Sequence, residues 1–247
     1  MPEYLFRRNA VLEALRGERR PLRRLWLKKG QAKAQTSDLE AAARRRGLPI
    51  EYSDKQQLTR LAGDSSHQGA VLEADAFPYA SLEEMLDLAA RRRERPFLLI
   101  LDLVQGPQNI GMLLRTAEAC GVHGVIIQER RAPDITPHVV AFAAGATEHL
   151  LIARETNLAQ TIQWLQQRNV WVVGLDMGED AQQLGQLDLD MSLALVVGHE
   201  GEGLRRLVRE KCDLILRLPM RGQVESLNAA VSGSIALYAA WQARGFQ

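Results

Sequence analysis

The chain has little of what many enzyme classes need. It has two cysteines in 247 residues, Cys120 and Cys212, far apart and without metal-ligand spacing. That argues against a disulfide framework or a zinc site. Both read as buried thiols in a reducing cytosol, which makes a cytoplasmic protein the expectation. Five histidines are scattered and include no HExxH set, so no metal is expected. No apolar run reaches bilayer-spanning length, so no membrane partner is expected. The opening Met1-Pro2-Glu3-Tyr4 carries an acid where a secretion signal would carry an apolar segment. There is no internal repeat and no low-complexity stretch. What is present is an ordinary globular composition, 46% hydrophobic and 25% charged. It suffices for one large domain or two small ones.

Charge of one sign is also nearly absent in sum, at +1, but it is unevenly placed. Residues 1–75 hold 15 Lys and Arg against 10 Asp and Glu; the remainder holds 16 against 20. The basic excess lies between Arg7 and Lys33, and such a cluster attracts polyanions. A solvated surface is the plainer explanation of the same charges.

The first 75 residues predict a small α/β unit. Asn9 is placed to cap a short helix through Leu15. Leu25–Leu27, Ile50–Tyr52 and Gly69–Ala74 read as strands. An Ala/Arg-rich helix starts at Ser37 or Asp38, and another lies near Asp54–Leu61. Residues 76–96 read as a linker carrying a bridging helix, with Ser81 and Glu84 spaced as a capping box. From Phe97 the pattern changes to continuous apolar runs at 97–101, 122–127, 171–175 and 193–197, with a further strand at 213–218. Helical stretches alternate with them at 110–120, 136–143, 158–168, 204–211 and 228–241. Fully buried strands alternating with helices predict a mostly parallel sheet covered on both faces. Ligands of such sheets bind beyond the carboxyl ends of the strands.

Three polar, glycine-bearing loops fall at those ends. The first runs from Asp102 through Gly106-Pro107 to Asn109, Gly111, Arg115 and Thr116. Asn109 is a natural helix cap. Arg115, one turn beyond Gly111, is expected on the same helix face, where it could hold a phosphate or polarise a hydroxyl. The second loop is Gly198-His199-Glu200-Gly201-Glu202-Gly203. Its order is G-x-x-G-x-G rather than the dinucleotide G-x-G-x-x-G, which makes a nicotinamide enzyme a weak alternative. Glu200 suits the helix N-terminus that follows or the orientation of a ligand. The third is Leu218-Pro219-Met220-Arg221-Gly222 through Ser226-Leu227-Asn228, where Ser226 or Asn228 would also serve as a plain cap. One pocket can collect all three loops.

In these loops the sequence resembles the SpoU (TrmH-like) family of RNA 2′-O-ribose methyltransferases. The first matches N-x-G-x-x-x-R-T at Asn109, Gly111, Arg115 and Thr116. The second matches G-x-E-G-x-G at Gly198, Glu200, Gly201 and Gly203. The third matches [IL]-P-M-x-G-x-x-x-S-L-N from Leu218 to Asn228. The opening Arg8-Asn9-Ala10-Val11 with Glu13-Ala14-Leu15, and His67-Gln68-Gly69, resemble the subgroup with an L30e-like RNA-binding domain. The chain departs from the pattern at Gly106, which precedes Pro107 where the family has Asp, and at Arg8 where it has Gly. Its Asn228-Ala229-Ala230-Val231-Ser232 stands for N-V-S-V-A.

The resemblance implies an α/β fold with a C-terminal deep trefoil knot (SPOUT-type) spanning 97–247, and an N-terminal L30e-like RNA-binding domain over 1–75. It implies S-adenosyl-L-methionine as cofactor, held near Gly198, Gly203, Leu218, Met220, Leu227 and Asn228. It implies a homodimer that completes each site. Arg115 would stabilise the developing alkoxide or anchor the adjacent phosphate, with Asn109, Glu200, Ser226 and Asn228 as orienting residues. Arg7, Arg8, Asn9, Arg23, Arg24 and Lys28 would contact RNA. The likeness is strongest to members acting on a guanosine of 23S rRNA. A tRNA or antibiotic-resistance rRNA ribose methyltransferase would share the three loops. A non-catalytic RNA-binding assembly factor would keep only the basic domain.

Overall fold

A computed structural model of the chain describes residues 2–130, 134–223 and 226–246. The elements run β1 (Glu3–Phe6), α1 (Arg8–Arg16), β2 (Leu22–Lys28), α2 (Lys33–Arg45), β3 (Ile50–Ser53), α3 (Lys55–Ala62) and β4 (Ala70–Ala74). Then follow α4 (Leu82–Arg92), β5 (Phe97–Asp102), α5 (Pro107–Ala119), β6 (Gly124–Gln128), α6 (Pro137–Phe142), β7 (Ile152–Glu155) and α7 (Leu158–Gln166). The last are β8 (Trp171–Leu175), β9 (Gln182–Gln183), β10 (Leu193–Gly198), α8 (Arg206–Lys211), β11 (Leu214–Arg217) and α9 (Ala229–Ala243). They form two compact units: residues up to 78 together with 135–149, and residues 79–134 together with 150 onward.

The first unit is built on a four-stranded sheet of order β1-β4-β2-β3, antiparallel except where β2 pairs with β3. The sequence reading missed β1, an edge strand of only four residues. Helix α1 starts at Arg8, with Arg7 as the capping residue at φ 71° and no side-chain cap. The expected cap, Asn9, lies inside the helix and is exposed. The segment 135–149 joins this unit although it lies far along the chain. Its helix α6 packs on β1. Arg20, 3% exposed, explains much of the attachment. Its guanidinium binds Glu148 at 2.6 Å and Glu3 at 2.7 Å. A buried cation is tolerated only when paired and hydrogen-bonded in this way.

The second unit has seven strands in the order β7-β6-β5-β10-β8-β11-β9, parallel at every pairing. Strands β5, β6 and β10 are buried along their whole length, as the apolar runs predict. Helices α4, α7 and α8 pack on one face; α5 and α9 pack together on the other. Helix α4 carries the full capping box between Ser81 and Glu84. It buries Leu82 and Met85 in this unit's core and so belongs to it rather than forming the bridging helix expected. Strand β11 enters the sheet between β8 and β9, both of which precede β10 in the chain.

Candidate functional site

Because β5, β10, β8 and β11 are consecutive neighbours and parallel, their carboxyl ends lie side by side. A cavity of about 270 Å³ opens there, lined by residues between Leu175 and Ser232. It collects the second and third loops, and the first loop is tied to its wall.

Helix α5 begins at Pro107, whose fixed φ suits the first helical position. Asn109 is therefore not the cap, as expected, but lies in the first turn with a free carboxamide. Its Nδ2 donates to Glu200 Oε1 at 2.6 Å, and weakly to the Gln105 carbonyl at 3.4 Å. The Gln105 amide donates to both Glu200 oxygens, at 3.2 and 3.3 Å. Asn228 does cap α9: its Oδ1 accepts from the amides of Ala230 at 2.9 Å and Val231 at 3.3 Å. Its Nδ2 donates to Asn109 Oδ1 at 3.2 Å. One carboxamide thus ends a helix and also joins a polar chain, Asn228 to Asn109 to Glu200, that ties the three loops together. Such a chain fixes the Glu200 carboxylate without a metal or a lysine.

The glycines of the second loop have a steric reason. A Cβ on Gly198 would lie 2.4 Å from the carbonyl group of Gly203. His199 and Gly203 exchange backbone hydrogen bonds of 3.0 Å, and Gly203 sits at φ 68°. His199 Nδ1 accepts from the amides of Gly201 at 3.1 Å and Glu202 at 3.3 Å, closing the loop. From the third loop, Leu218, Met220, Ser226 and Leu227 line the cavity. Val224 and Glu225 lie outside the described residues.

Several lining residues escaped the sequence reading. Asp176 and Met177 follow β8, and the strand-end rule should have pointed to them, but no glycine-rich motif marks that loop. Asp176 is shared with Arg209, whose Nε lies 3.3 Å away. Below the site, Asp102 is fully buried at the end of β5 and accepts from the Arg205 amide at 2.9 Å and its Nε at 2.6 Å. This pair fixes where the second loop rejoins α8.

Arg115 is not brought to this cavity. It is exposed on α5 beside exposed Met112, and among the described residues it has no hydrogen-bonding or ionic partner. Gly111, one turn earlier on the same side of the helix, is buried. Four residues advance a helix by more than a full turn, and Arg115 falls just past the edge of the buried stripe.

The basic N-terminal candidates also separate. Arg8 pairs with Asp38, Arg24 with Glu51, and Arg23 with Asp75 at 2.6 Å. Arg7, which stacks on Phe142 at 4.5 Å, and Lys28 both line a second cleft within the first unit. Among the described residues no helix is long and apolar enough to cross a membrane, and no group of three or more His, Cys, Asp or Glu is arranged to hold a metal.

The model of the SpoU rRNA methylase family matches residues 96–238, and that for RNA 2′-O ribose methyltransferase substrate binding matches residues 4–80. The chain belongs to the SpoU rRNA methylase family. It is thereby an RNA methyltransferase. YacO of Bacillus subtilis, assigned to the TrmH family of tRNA/rRNA methyltransferases, is 39% identical over 98% of this chain and 96% of its own. A Staphylococcus haemolyticus protein with the same assignment is 35% identical over 96% and 94%. Among solved structures, the SpoU methyltransferase AviRb from Streptomyces viridochromogenes, in complex with AdoMet, superposes with a TM-score of 0.81 at 23% identity. It covers all of this chain and 92% of that one. An AdoMet-bound rRNA methyltransferase from Sinorhizobium meliloti gives 0.78 at 23% identity, over 98% and 87%. These two likenesses establish the SpoU (SPOUT) fold.

Proposed function

We propose that this SpoU-family chain transfers a methyl group from S-adenosylmethionine to a ribose 2′-hydroxyl of structured RNA, a guanosine of 23S rRNA, in ribosome maturation. The observation that carries the cofactor assignment is the charge of the cavity. Asp176, Glu200 and Glu202 line it, and no Lys or Arg does among the described residues. Such a wall disfavours the phosphates of a nucleotide cofactor and favours a sulfonium cation. Leu175, Val197, Leu218 and Leu227 supply apolar surface for an adenine, and the backbone about Gly198, Gly203 and Leu218 supplies hydrogen-bonding groups. AviRb, with the same fold, binds AdoMet. When bound, the cofactor supplies an electrophilic methyl group.

The chain's own residues then have to position the ribose and ease loss of its proton. Glu200, held by Asn109, orients the ligands at the cavity mouth; Ser226 lies on the same wall. Arg115 is the cation that stabilises the developing 2′-alkoxide or anchors the neighbouring phosphate. Its exposure away from its own cavity supports a homodimer. It shares α5 with exposed Met112, and α9, which packs on α5 through Thr116 and Ser234 at 2.9 Å, exposes Val231, Ile235 and Tyr238. A second copy seated on that apolar face would bring Arg115 to the partner's cavity.

Two variants test this. Arg115→Ala should fold and bind S-adenosylmethionine in calorimetry yet lose methyl transfer by on the order of 10²-fold or more; full activity sinks the role. Ile235→Glu should sediment as a monomer that binds cofactor but transfers nothing. Ribose-methylation mapping of rRNA and tRNA in a deletion strain identifies the nucleotide. A lost tRNA mark with 23S rRNA intact would reassign the substrate.

A further inference from the structure

The first unit holds a cleft that the methyl-transfer site does not use. It has a volume of about 680 Å³ and lies between the turn after β2 and the loop before β4. Arg7, Lys28 and Lys55 line it, and no Asp or Glu does among the described residues. Its floor carries two polar groups that the fold leaves unsatisfied. His67 is 2% exposed; its Nδ1 accepts from the Gly69 amide at 3.0 Å, so in the neutral ring the proton sits on Nε2. That Nε2 is buried without a hydrogen bond. The Lys55 backbone interacts weakly with the ring and favours its protonated form, but not in the geometry of a full hydrogen bond.

Gln31 is the second group. Its Nε2 donates to the Gln68 carbonyl at 3.2 Å, which points Oε1 the other way, and Oε1 is buried and unpartnered. A Cβ at position 69 would stand 2.2 Å from that oxygen, so any other residue there would force the Gln31 carboxamide to move. The walls are strained as well: Arg7 at φ 71° and Gln68 at φ 55° hold left-handed backbone without being glycine. Strain of this kind persists where the surroundings impose it, and it gathers at binding sites. Buried unmatched donors and acceptors are uncommon and costly, and a ligand that satisfies them removes the cost.

The required ligand must accept from one group, donate to another and carry negative charge. An unpaired nucleotide does all three, since the Watson–Crick edge of every base sets an acceptor beside an N–H donor. We propose that this cleft receives one unstacked nucleotide of the RNA, its base edge on Gln31 and His67 and its phosphate on Lys28 and Lys55. The proposal rests on RNA being the substrate. It explains how a family with a shared catalytic unit can select single-stranded features of a target: the first unit captures a nucleotide other than the one that is methylated.

The test uses the full chain labelled with ¹⁵N-histidine, titrated with GMP, AMP, UMP and CMP, and separately with inorganic phosphate. All four nucleotides should shift the His67 ring nitrogens saturably, and phosphate alone should not. Gln31→Met and the pair Lys28→Met with Lys55→Met should each weaken nucleotide binding about tenfold, with S-adenosylmethionine affinity unchanged. They should also raise KM for RNA more than they lower kcat. Nucleotides that leave His67 unmoved, or phosphate that moves it equally, would overturn the proposal even if methyl transfer is intact. If nucleotides bind as described and no RNA is methylated by the parent chain, the enzymatic reading fails and the cleft stands.

Discussion

Glu200 and Asn109 are joined at 2.6 Å and lie 91 positions apart, so each depends on the other for its direction. Glu200→Gln keeps the shape but removes the charge that Asn109 Nδ2 and the Gln105 amide address. We expect transfer to fall roughly 10²-fold, the scale on which misplaced reactants lose rate, with thermal stability little changed. Asn109→Ala should cost a similar factor. Because both act through one contact, the double variant should be no slower than the worse single one; a product of the two factors in single-turnover kinetics would show that they act independently. Loop spacing singles these two residues out, and the orienting roles expected for them rest on the family resemblance. Their arrangement was not: Asn109 looked like a cap because polar residues before helices usually are, and Pro107, two positions earlier, had already set the start. Arg115 was expected as a functional cation; that it stands exposed was not legible, since only the packing of α5 on α9 shows which way it faces.

At the level of elements, the helix caps separate stability from function. Ser81 closes a capping box on α4, far from the chemistry. Ser81→Ala should cost ~1 kcal/mol in urea unfolding and leave cofactor affinity alone. Asn228→Ala removes the same kind of cap from α9 but also cuts the polar chain to Asn109. It should lose a comparable ~1 kcal/mol and, in addition, most of the transfer rate. Equal activity in the two variants would show that the Asn228 side chain serves α9 only. The long apolar strands and most helices could be read from hydrophobic runs and punctuation. The three strands missed, β1, β7 and β9, are all edge strands of their sheets. An edge strand is paired on one side and half-covered, so it needs no continuous apolar run; β9 is only Gln182-Gln183. Likewise α6 looked like one more covering helix of the larger sheet, because nothing in its own composition records the Arg20–Glu148 pair that anchors its neighbour elsewhere.

Over the whole molecule, each unit carries a buried histidine that favours neutrality. Burial lowers the pKa of His123, against the opposing pull of Glu94 2.9 Å away, and burial followed by nearby Lys55 lowers that of His67. Both rings accept a backbone amide on Nδ1. The unfolded chain therefore takes up protons near the ordinary histidine pKa of about 6.5 while the native chain resists. Stability should be full above that pH and decline as acid drives the rings through their lowered values. Scanning calorimetry from pH 7.5 to 5 should show the midpoints falling, and His123→Asn, which keeps an acceptor for the Phe97 amide, should flatten part of the slope. The seating of β11 between β8 and β9 has a further consequence for how the protein comes into being. Every lining residue of the proposed cofactor cavity lies from Leu175 onward. If that cavity holds the cofactor as proposed, a ribosome still holding the last third of the chain carries no methyl-transfer site at all. The unit that matches the substrate-binding model is complete once residue 149 has emerged, whereas the cavity waits for α9. A nascent or prematurely terminated copy would occupy its RNA without marking it, so truncation near the C-terminus should yield a competitor of the intact enzyme rather than a merely weakened one.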